Sequence, residues 1–461
     1  MKSVLFKKIF LGVVCSIIAV VGAISPYAFS FEKSTIAKAT TYYTLNGEEV
    51  RIEVYHRARN EDIDAPTFAV GETVMKAIEY KKANITEEVL VDFAIYRFHP
   101  DTAIYYKPNT VNYGKMTKLE EDETEDCIRI AYTFVKAAMW GIKTNVFVHK
   151  ESGTGVVPYL NQFLDEPCLH DSSKKVKDYL TARQCQWLNN GSSHQMHSKQ
   201  LLVSDYIDHD GKEYHNAVWT STANVDQHTA FDKKVVSWKN WFHSGFMVSN
   251  NTELYRQNKL FFDITFDHYT DRELFIEEVL IQKALGNLKY EDDYVEFYFT
   301  PSTNEYADGW DVNDNPVAKY FDRLANCRGD FAVYINMYAM GESAYLDRIL
   351  QSIETAFANN PDAEGICDVV VNNEGAGLDE TIASRFDAVG DITVGKQTHA
   401  KNFVFYFGDT NEYVCITGST NLSEGELFLK SNQTGVLKEQ GDEHPIFDTF
   451  VDYHLQNKVS K

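Results

Sequence analysis

His399-Ala-Lys401, followed by Gly418-Ser419-Thr420-Asn421, is the stretch from which the fold of this chain can be read. It has an earlier counterpart in His197-Ser-Lys199, followed by Ser221-Thr222-Ala223-Asn224. A β-strand places residues i and i+2 on one face. Each His-x-Lys therefore presents an imidazole beside an ammonium group. A lone His-x-Lys is ordinary surface. Two of them, each with an Asn turn downstream in corresponding places, point to one site assembled from two similar halves.

Working outward, the same order of elements is found twice. The first copy has strands at Arg51–Tyr55, Val89–Tyr96, Asn145–Val148, Leu201–Val203, Ala217–Trp219 and Gly245–Val248. The second has them at Val295–Phe299, Phe331–Ile335, Cys367–Val371, Phe403–Phe405, Tyr413–Ile416 and Gly435–Leu437. Segments with helical apolar spacing stand between them: 66–81, 127–140 and 252–262, against 316–325, 343–358 and 446–455. The closest match by residue is Asp92-Phe-Ala-Ile-Tyr96 against Asp330-Phe-Ala-Val-Tyr334. Apolar strands alternating with helices predict an α/β fold: two pseudo-symmetric α-β-α sandwich halves with mixed, largely parallel sheets, and the site at their interface. The expected boundaries are 1–30 for an export leader, 41–269 for the first half, 270–293 for a connection and 294–461 for the second half. The first half carries a loop-dominated insertion at 153–193.

The leader expectation rests on Lys2, Lys7 and Lys8, an apolar run from Ile9 to Ala23, and small residues at Ala28 and Ser30. A secreted or periplasmic chain is expected, with an uncleaved membrane anchor as the alternative. Export permits disulfides, and Cys168 with Cys185 is the expected pair. The formal net charge is −23, and loss of the leader's three lysines would take it to −26. Such a charge repels nucleic acid and anionic lipid, although it allows a local basic pocket. The acidic run Glu120–Asp126 suits the start of the helix after it.

Two imidazoles, two ammonium groups and two Asn amides around one volume suit the oxygens of a phosphoryl group. One neutral imidazole can attack phosphorus while the other, protonated, donates to the leaving oxygen. That division predicts a bell-shaped pH profile. Thr222 and Ser419 can add donors from the turns. His194 and His197 lack acidic or Cys partners at ligand spacing, so neither a metal nor a cofactor is expected.

These motifs resemble the phospholipase D superfamily, whose repeated signature is His-x-Lys, four residues, Asp, then Gly-Ser-x-Asn. The resemblance implies that His197 and His399 are the catalytic pair, with Lys199, Asn224, Lys401 and Asn421 on the phosphate. It favours His197 as nucleophile. The chain departs from the signature at the Asp, which falls on Ser204 and Tyr406, with Asp205 and Asp409 nearby. Where many members carry an acid that orients a histidine, this chain has Gln433 or Asn432, and His243. A neutral orienter stabilises an imidazolium less than a carboxylate does, which predicts an altered pH optimum or a lower rate.

The resemblance thus implies an exported phosphodiesterase that hydrolyses or transphosphatidylates phospholipid through a phosphohistidine. A metal-independent nuclease and a catalytically weak binding protein are the alternatives. The acidic charge tilts the balance from nucleic acid to lipid. Trp238, Trp241 and Phe242 suggest either a lip for transient contact with a membrane surface or simple core packing. A monomer is expected.

Overall fold

The computed structural model describes residues 37–57, 65–99, 130–149, 155–187, 195–226, 242–302, 310–338, 340, 343–372, 380–396, 398–422 and 430–459. The leader, Cys127, Glu120–Asp126, His194, Trp238 and Trp241 lie outside them. Thr35–Lys461 forms one compact unit. Among the described residues no helix is long and apolar enough to cross a membrane.

Each half is built on an eight-stranded sheet. The first contains β1 (Ala39–Leu45), β2 (Glu48–Arg57), β3 (Leu90–Ile95), β5 (Lys143–Val148), β6 (Leu180–Gln184), β7 (Lys199–Ile207), β8 (Glu213–Ser221) and β10 (His243–Ser249). The short β4 (Phe98–His99) and β9 (Val225–Asp226) pair separately. The second sheet contains β11 (Lys289–Glu291), β12 (Val295–Phe299), β13 (Phe331–Met337), β14 (Gly365–Val371), β15 (Asp391–Val394), β16 (Lys401–Phe407), β17 (Glu412–Gly418) and β18 (Gln433–Gln440). Their orders are β1-β2-β10-β8-β7-β3-β5-β6 and β11-β12-β18-β17-β16-β13-β14-β15, the same pattern twice. The expected α/β duplication is present.

The helices are α1 (Ala65–Ala83), α2 (130–139), α3 (Val156–Asn161), α4 (Thr252–Asp267), α5 (Arg272–Ala284), α6 (Pro316–Ala325), α7 (Ala344–Asn359), α8 (Glu380–Val389) and α9 (Pro445–Val459). Local chemistry fixes their starts. Asn315 caps α6 by accepting from Val317 N at 3.0 Å, and Pro316 follows in the first turn. Phe321 and Leu324 of α6, Leu346 and Ile349 of α7, and Phe386 of α8 pack one face of the second sheet. The other face joins the first half in a shared core. Phe246 and Val248 of β10 meet Phe297 of β12 and Leu437 of β18 there, closed by Phe261 of α4 and Phe450 of α9. Burying these apolar faces against each other, at roughly 25 cal/mol per Å², ties the halves together beneath the site.

Several sequence expectations need correction. Parallel pairing is confined to the outer strands, β3-β5-β6 and β13-β14-β15, and the other pairings in both sheets are antiparallel. The motif strands are the reason. β7 turns back into β8, and β16 into β17, through short hairpins that can only be antiparallel. The loop-dominated segment 153–193 also contains α3 and β6, the counterpart of β15. The connection 270–293 contains α5 and β11. Cys168 and Cys185 are both free thiols. Cys168 Sγ lies 3.7 Å from the Ala138 carbonyl, whereas Cys185 sits in the shared core.

The most similar stretch of sequence is also misleading in register. Ile95 lies opposite Lys199, and Met337 lies opposite Lys401. Tyr96 therefore corresponds to Tyr338 rather than to Tyr334. The offset of four residues is even, so inward and outward faces are preserved.

Candidate active site

His197 and Lys199 stand at the start of β7, and His399 and Lys401 at the start of β16. Backbone bonds join the two starts to the opposite half. His197 N donates to Ser431 O at 2.9 Å, and His399 N donates to Phe242 O at 3.0 Å. Short parallel bridges pair Met196 with Ser431 and Phe242 with Thr398. Each motif strand is thus fastened to the closing strand of the other half.

The imidazoles are held across the same divide. His197 Nδ1 bonds Asn432 Oδ1 at 2.9 Å. His399 Nδ1 bonds the Thr222 carbonyl at 2.7 Å. A carbonyl only accepts, so the proton of His399 is on Nδ1 and the lone pair is on Nε2. Asn432 Oδ1 also accepts from Ser419 Oγ at 2.9 Å, which keeps its oxygen facing His197 and assigns the same tautomer there. Lys199 and Lys401 Nζ each donate to the carbonyl of their own histidine at 3.0 Å. Tyr96 lies over His197 and Tyr338 over His399, with ring centroids 4.8 Å apart in both cases. The aromatic covers were not recognised from sequence, although Tyr96 ends the strand that drew attention.

Burial lowers the proton affinity of both histidines. His197 is pushed well below the usual range by desolvation, then by Lys199, Lys430 and Lys401. His399 is pushed the same way by desolvation, then by Lys401, His243, Lys199 and His197. Each histidine thus feels the lysines of both motifs. Both shifts favour the neutral imidazole, so the opposite protonation states expected from the sequence need a bound anion to offset the lysines.

The remaining predicted residues divide. Thr222 contributes its carbonyl to His399, and its hydroxyl accepts from Ser244 N at 3.1 Å. Asn224 has a buried Oδ1 with no hydrogen-bond partner among the described residues. Asn421 lines a cleft with Lys401, Gly418 and Thr420. His243 lies 5.4 Å from His399 by ring centroids, and its Nδ1 is buried with no hydrogen-bond partner among the described residues. Gln433 turns away, with Nε2 3.4 Å from Asn258 Oδ1. Its neighbour Asn432 makes the histidine contact.

The altered signature positions have local explanations. Ser221 pairs with Gly245 across β8 and β10, and Gly418 pairs with Thr434 across β17 and β18. The glycine has changed strands between the halves. A Cβ on Gly418 would stand 2.4 Å from Gln433 O, and one on Gly245 would stand 2.9 Å from Ser221 Cβ. The backbone of the neighbouring strand bars a side chain at each glycine, Thr220 O standing 2.7 Å from a Cβ on Gly245, so the first half keeps its glycine at 245 and admits serine at 221. The missing Asp is equally local. Ser204 Oγ accepts from Leu90 N at 2.9 Å, at the end of β3 away from Ile95 and the site. Tyr406 stacks on Tyr413 at 4.9 Å. Asp205 pairs with His215, and Asp409 with Arg323. Phe242 packs in a small core with Ala400 and Tyr453.

The fold and site define a duplicated α/β protein with a paired histidine–lysine centre between its halves. A scan against protein-family models and a search of curated proteins both find no match. Among solved structures, the chain is similar to a polyphosphate kinase from Porphyromonas gingivalis, at 12% identity and a TM-score of 0.45 over 88% of this chain and 50% of that one. It is similar to a phosphatidylserine synthase from Haemophilus influenzae Rd KW20, at 8% identity and a TM-score of 0.47 over 88% and 86%. It also matches Nuc, a phospholipase D family member from Salmonella typhimurium, at 9% identity and a TM-score of 0.24 over 35% and 92%. The chain spans about half the length of the polyphosphate kinase.

Proposed function

We propose that the protein is an exported phosphodiesterase of the phospholipase D kind, acting on phospholipid through a phosphohistidine. The observation that carries this reading is the cross-holding of the two histidines, His197 by Asn432 and His399 by Thr222. The cross-holding supports a site in which both histidines and the buried Lys199 and Lys401 meet one phosphate. His197 attacks phosphorus, forming the N–P bond as the P–O bond to the leaving alcohol breaks. His399, protonated once the anion is bound, gives its proton to that oxygen. It then takes a proton from water, which attacks phosphorus and releases His197. Lys199, Lys401, Asn224 and Asn421 hold the phosphoryl oxygens. Preorganised donors in a buried site of this kind are worth several kcal/mol to a developing charge.

The test is cleavage of phosphatidylcholine vesicles, and separately of single-stranded oligonucleotide, in excess EDTA. Head-group release that falls at least about 1000-fold in both His197→Ala and His399→Ala supports the mechanism. Release that survives both substitutions, or that EDTA abolishes, rejects it. Cleavage of the oligonucleotide alone would replace lipid with nucleic acid as the substrate.

A further inference from the structure

A third imidazole, that of His243, stands beside His399, with ring centroids 5.4 Å apart and planes at 58°. His243 is buried and opens β10. It follows Phe242, whose carbonyl accepts from His399 N at 3.0 Å. The matching bond in the other half runs from His197 N to Ser431 O, and Asn432 comes next. His243 therefore holds in the first half the place from which Asn432 reaches His197 in the second.

The two residues act differently from that place. Asn432 Oδ1 accepts from His197 and from Ser419. His399 Nδ1 is already bonded to the Thr222 carbonyl, so His243 is not what holds it. His243 Nδ1 is buried and has no hydrogen-bond partner among the described residues. A phenyl ring would fill the same space without stranding a polar atom. A buried histidine kept there instead points to a ligand that its other nitrogen serves.

The tautomers say what kind of ligand. A buried N–H without an acceptor is the rarer orphan, so the lone pair of His243 is on Nδ1 and the proton is on Nε2. His197 and His399 carry theirs on Nδ1. Of the three rings, His243 is thus the one that donates from Nε2 while neutral. Burial keeps it neutral, followed by Arg57, which pairs with it across β2 and β10, and by Lys401 and Lys199. It feels the lysines of both motifs, as His399 does. A neutral N–H donor beside two lysines suits an anionic oxygen.

We propose that His243 is a further ligand of the phosphoryl group, donating from Nε2 to a phosphoryl oxygen on the His399 side of the site. The assignment rests on the phosphodiesterase reading above, and the test separates the two. In that reading His197 attacks and His399 moves the proton, while His243 holds an oxygen throughout without changing its own protonation. Calorimetry on the full chain measures binding of inorganic phosphate at neutral pH, with thermal melting alongside. His243→Phe keeps a ring and removes the donor, and should weaken phosphate at least about tenfold, the lower end for a hydrogen bond to a charged group, without lowering Tm. His243→Leu takes its place should the phenyl variant not fold. His243→Gln puts an amide N–H at the reach of Nε2, and should bind within about threefold of the parent. A folded donor-less variant that binds phosphate as tightly as the parent would overturn the role, and a fall in kcat alone would then make His243 a positioning residue for His399. Equal weakening in His243→Phe and His243→Gln would also overturn it, since the ring's shape would then matter and not its donor. Failure of the parent chain to bind phosphate would overturn the underlying reading and this one with it.

Discussion

The two halves repeat one sheet order but hold their histidines differently. In the first half His197 leans on a side-chain amide, Asn432. In the second, His399 leans on a backbone carbonyl, that of Thr222. The counterpart of Asn432 is His243, which has the same place on its closing strand yet makes no hydrogen bond through Nδ1. The duplication therefore fixes where each imidazole stands, and the two halves are free to differ in the atom that orients it. Such a difference is what two histidines need to divide acid and nucleophile between them, since only local surroundings separate their proton affinities.

The contrast in glycine placement gives the largest structural effect. Gly418→Ala brings a Cβ against Gln433 O and should cost about 1–3 kcal/mol, read as a fall in Tm. Ser221→Gly at the corresponding place meets no clash but loses a buried hydroxyl that donates to Ser244 O at 3.0 Å and accepts from Ala223 N at 2.8 Å, and should cost about 1 kcal/mol. A Gly418→Ala protein as stable as the parent would show that Gln433 O does not bar a side chain there.

A second contrast lies one layer below. His56 of β2 pairs with Ser244, and Phe299 of β12 pairs with Gln433, so histidine in one half stands where phenylalanine stands in the other. His56 stacks on Tyr453 at 4.5 Å, and neither ring nitrogen has a partner. Desolvation lowers its pKa to about 3. The folded chain thus binds fewer protons here than the unfolded chain does between pH 6.5 and 3. The stability this group contributes is complete above about pH 6.5 and is lost as pH falls towards 3. From pH 7 to pH 5 the loss is about 2 kcal/mol. His56→Phe should remove that share from a urea titration at pH 5. An unchanged acid dependence would show that the ring is not neutral and buried in solution.

The smallest effect concerns the orienting atom itself. Asn432→Asp places a carboxylate against His197 Nδ1, which favours the imidazolium. If His197 must be neutral to attack, the acid limb of kcat/KM should move up by about one pH unit. The same substitution at a residue that only packs would leave the limb in place.

Much of this was legible in the sequence because side-chain alternation along a strand is strict. His197 with Lys199, and His399 with Lys401, had to share a face wherever the strands lay. The duplication was also legible from the order of apolar strands. Register was not. Asp92–Tyr96 resembles Asp330–Tyr334 by residue, yet hydrogen bonding aligns Tyr96 with Tyr338, because pairing with the motif strands decides the offset. The choice between Asn432 and Gln433 was hidden for the same reason, since adjacent strand residues face opposite ways. The exchange of glycine between Gly245 and Gly418 could not be read along one strand, because the constraint acts across two. The strand β6 was hidden because it lies inside a segment whose Gly, Pro, Asn and Ser content reads as loop.

The central claim is one site made by both halves, and the stoichiometry of inorganic phosphate binding tests it most directly. Calorimetry should find a single phosphate per chain, with affinity falling at least about tenfold, or 1.4 kcal/mol, in Lys199→Ala and equally in Lys401→Ala. Two phosphates per chain, with each substitution removing only one of them, would contradict the account.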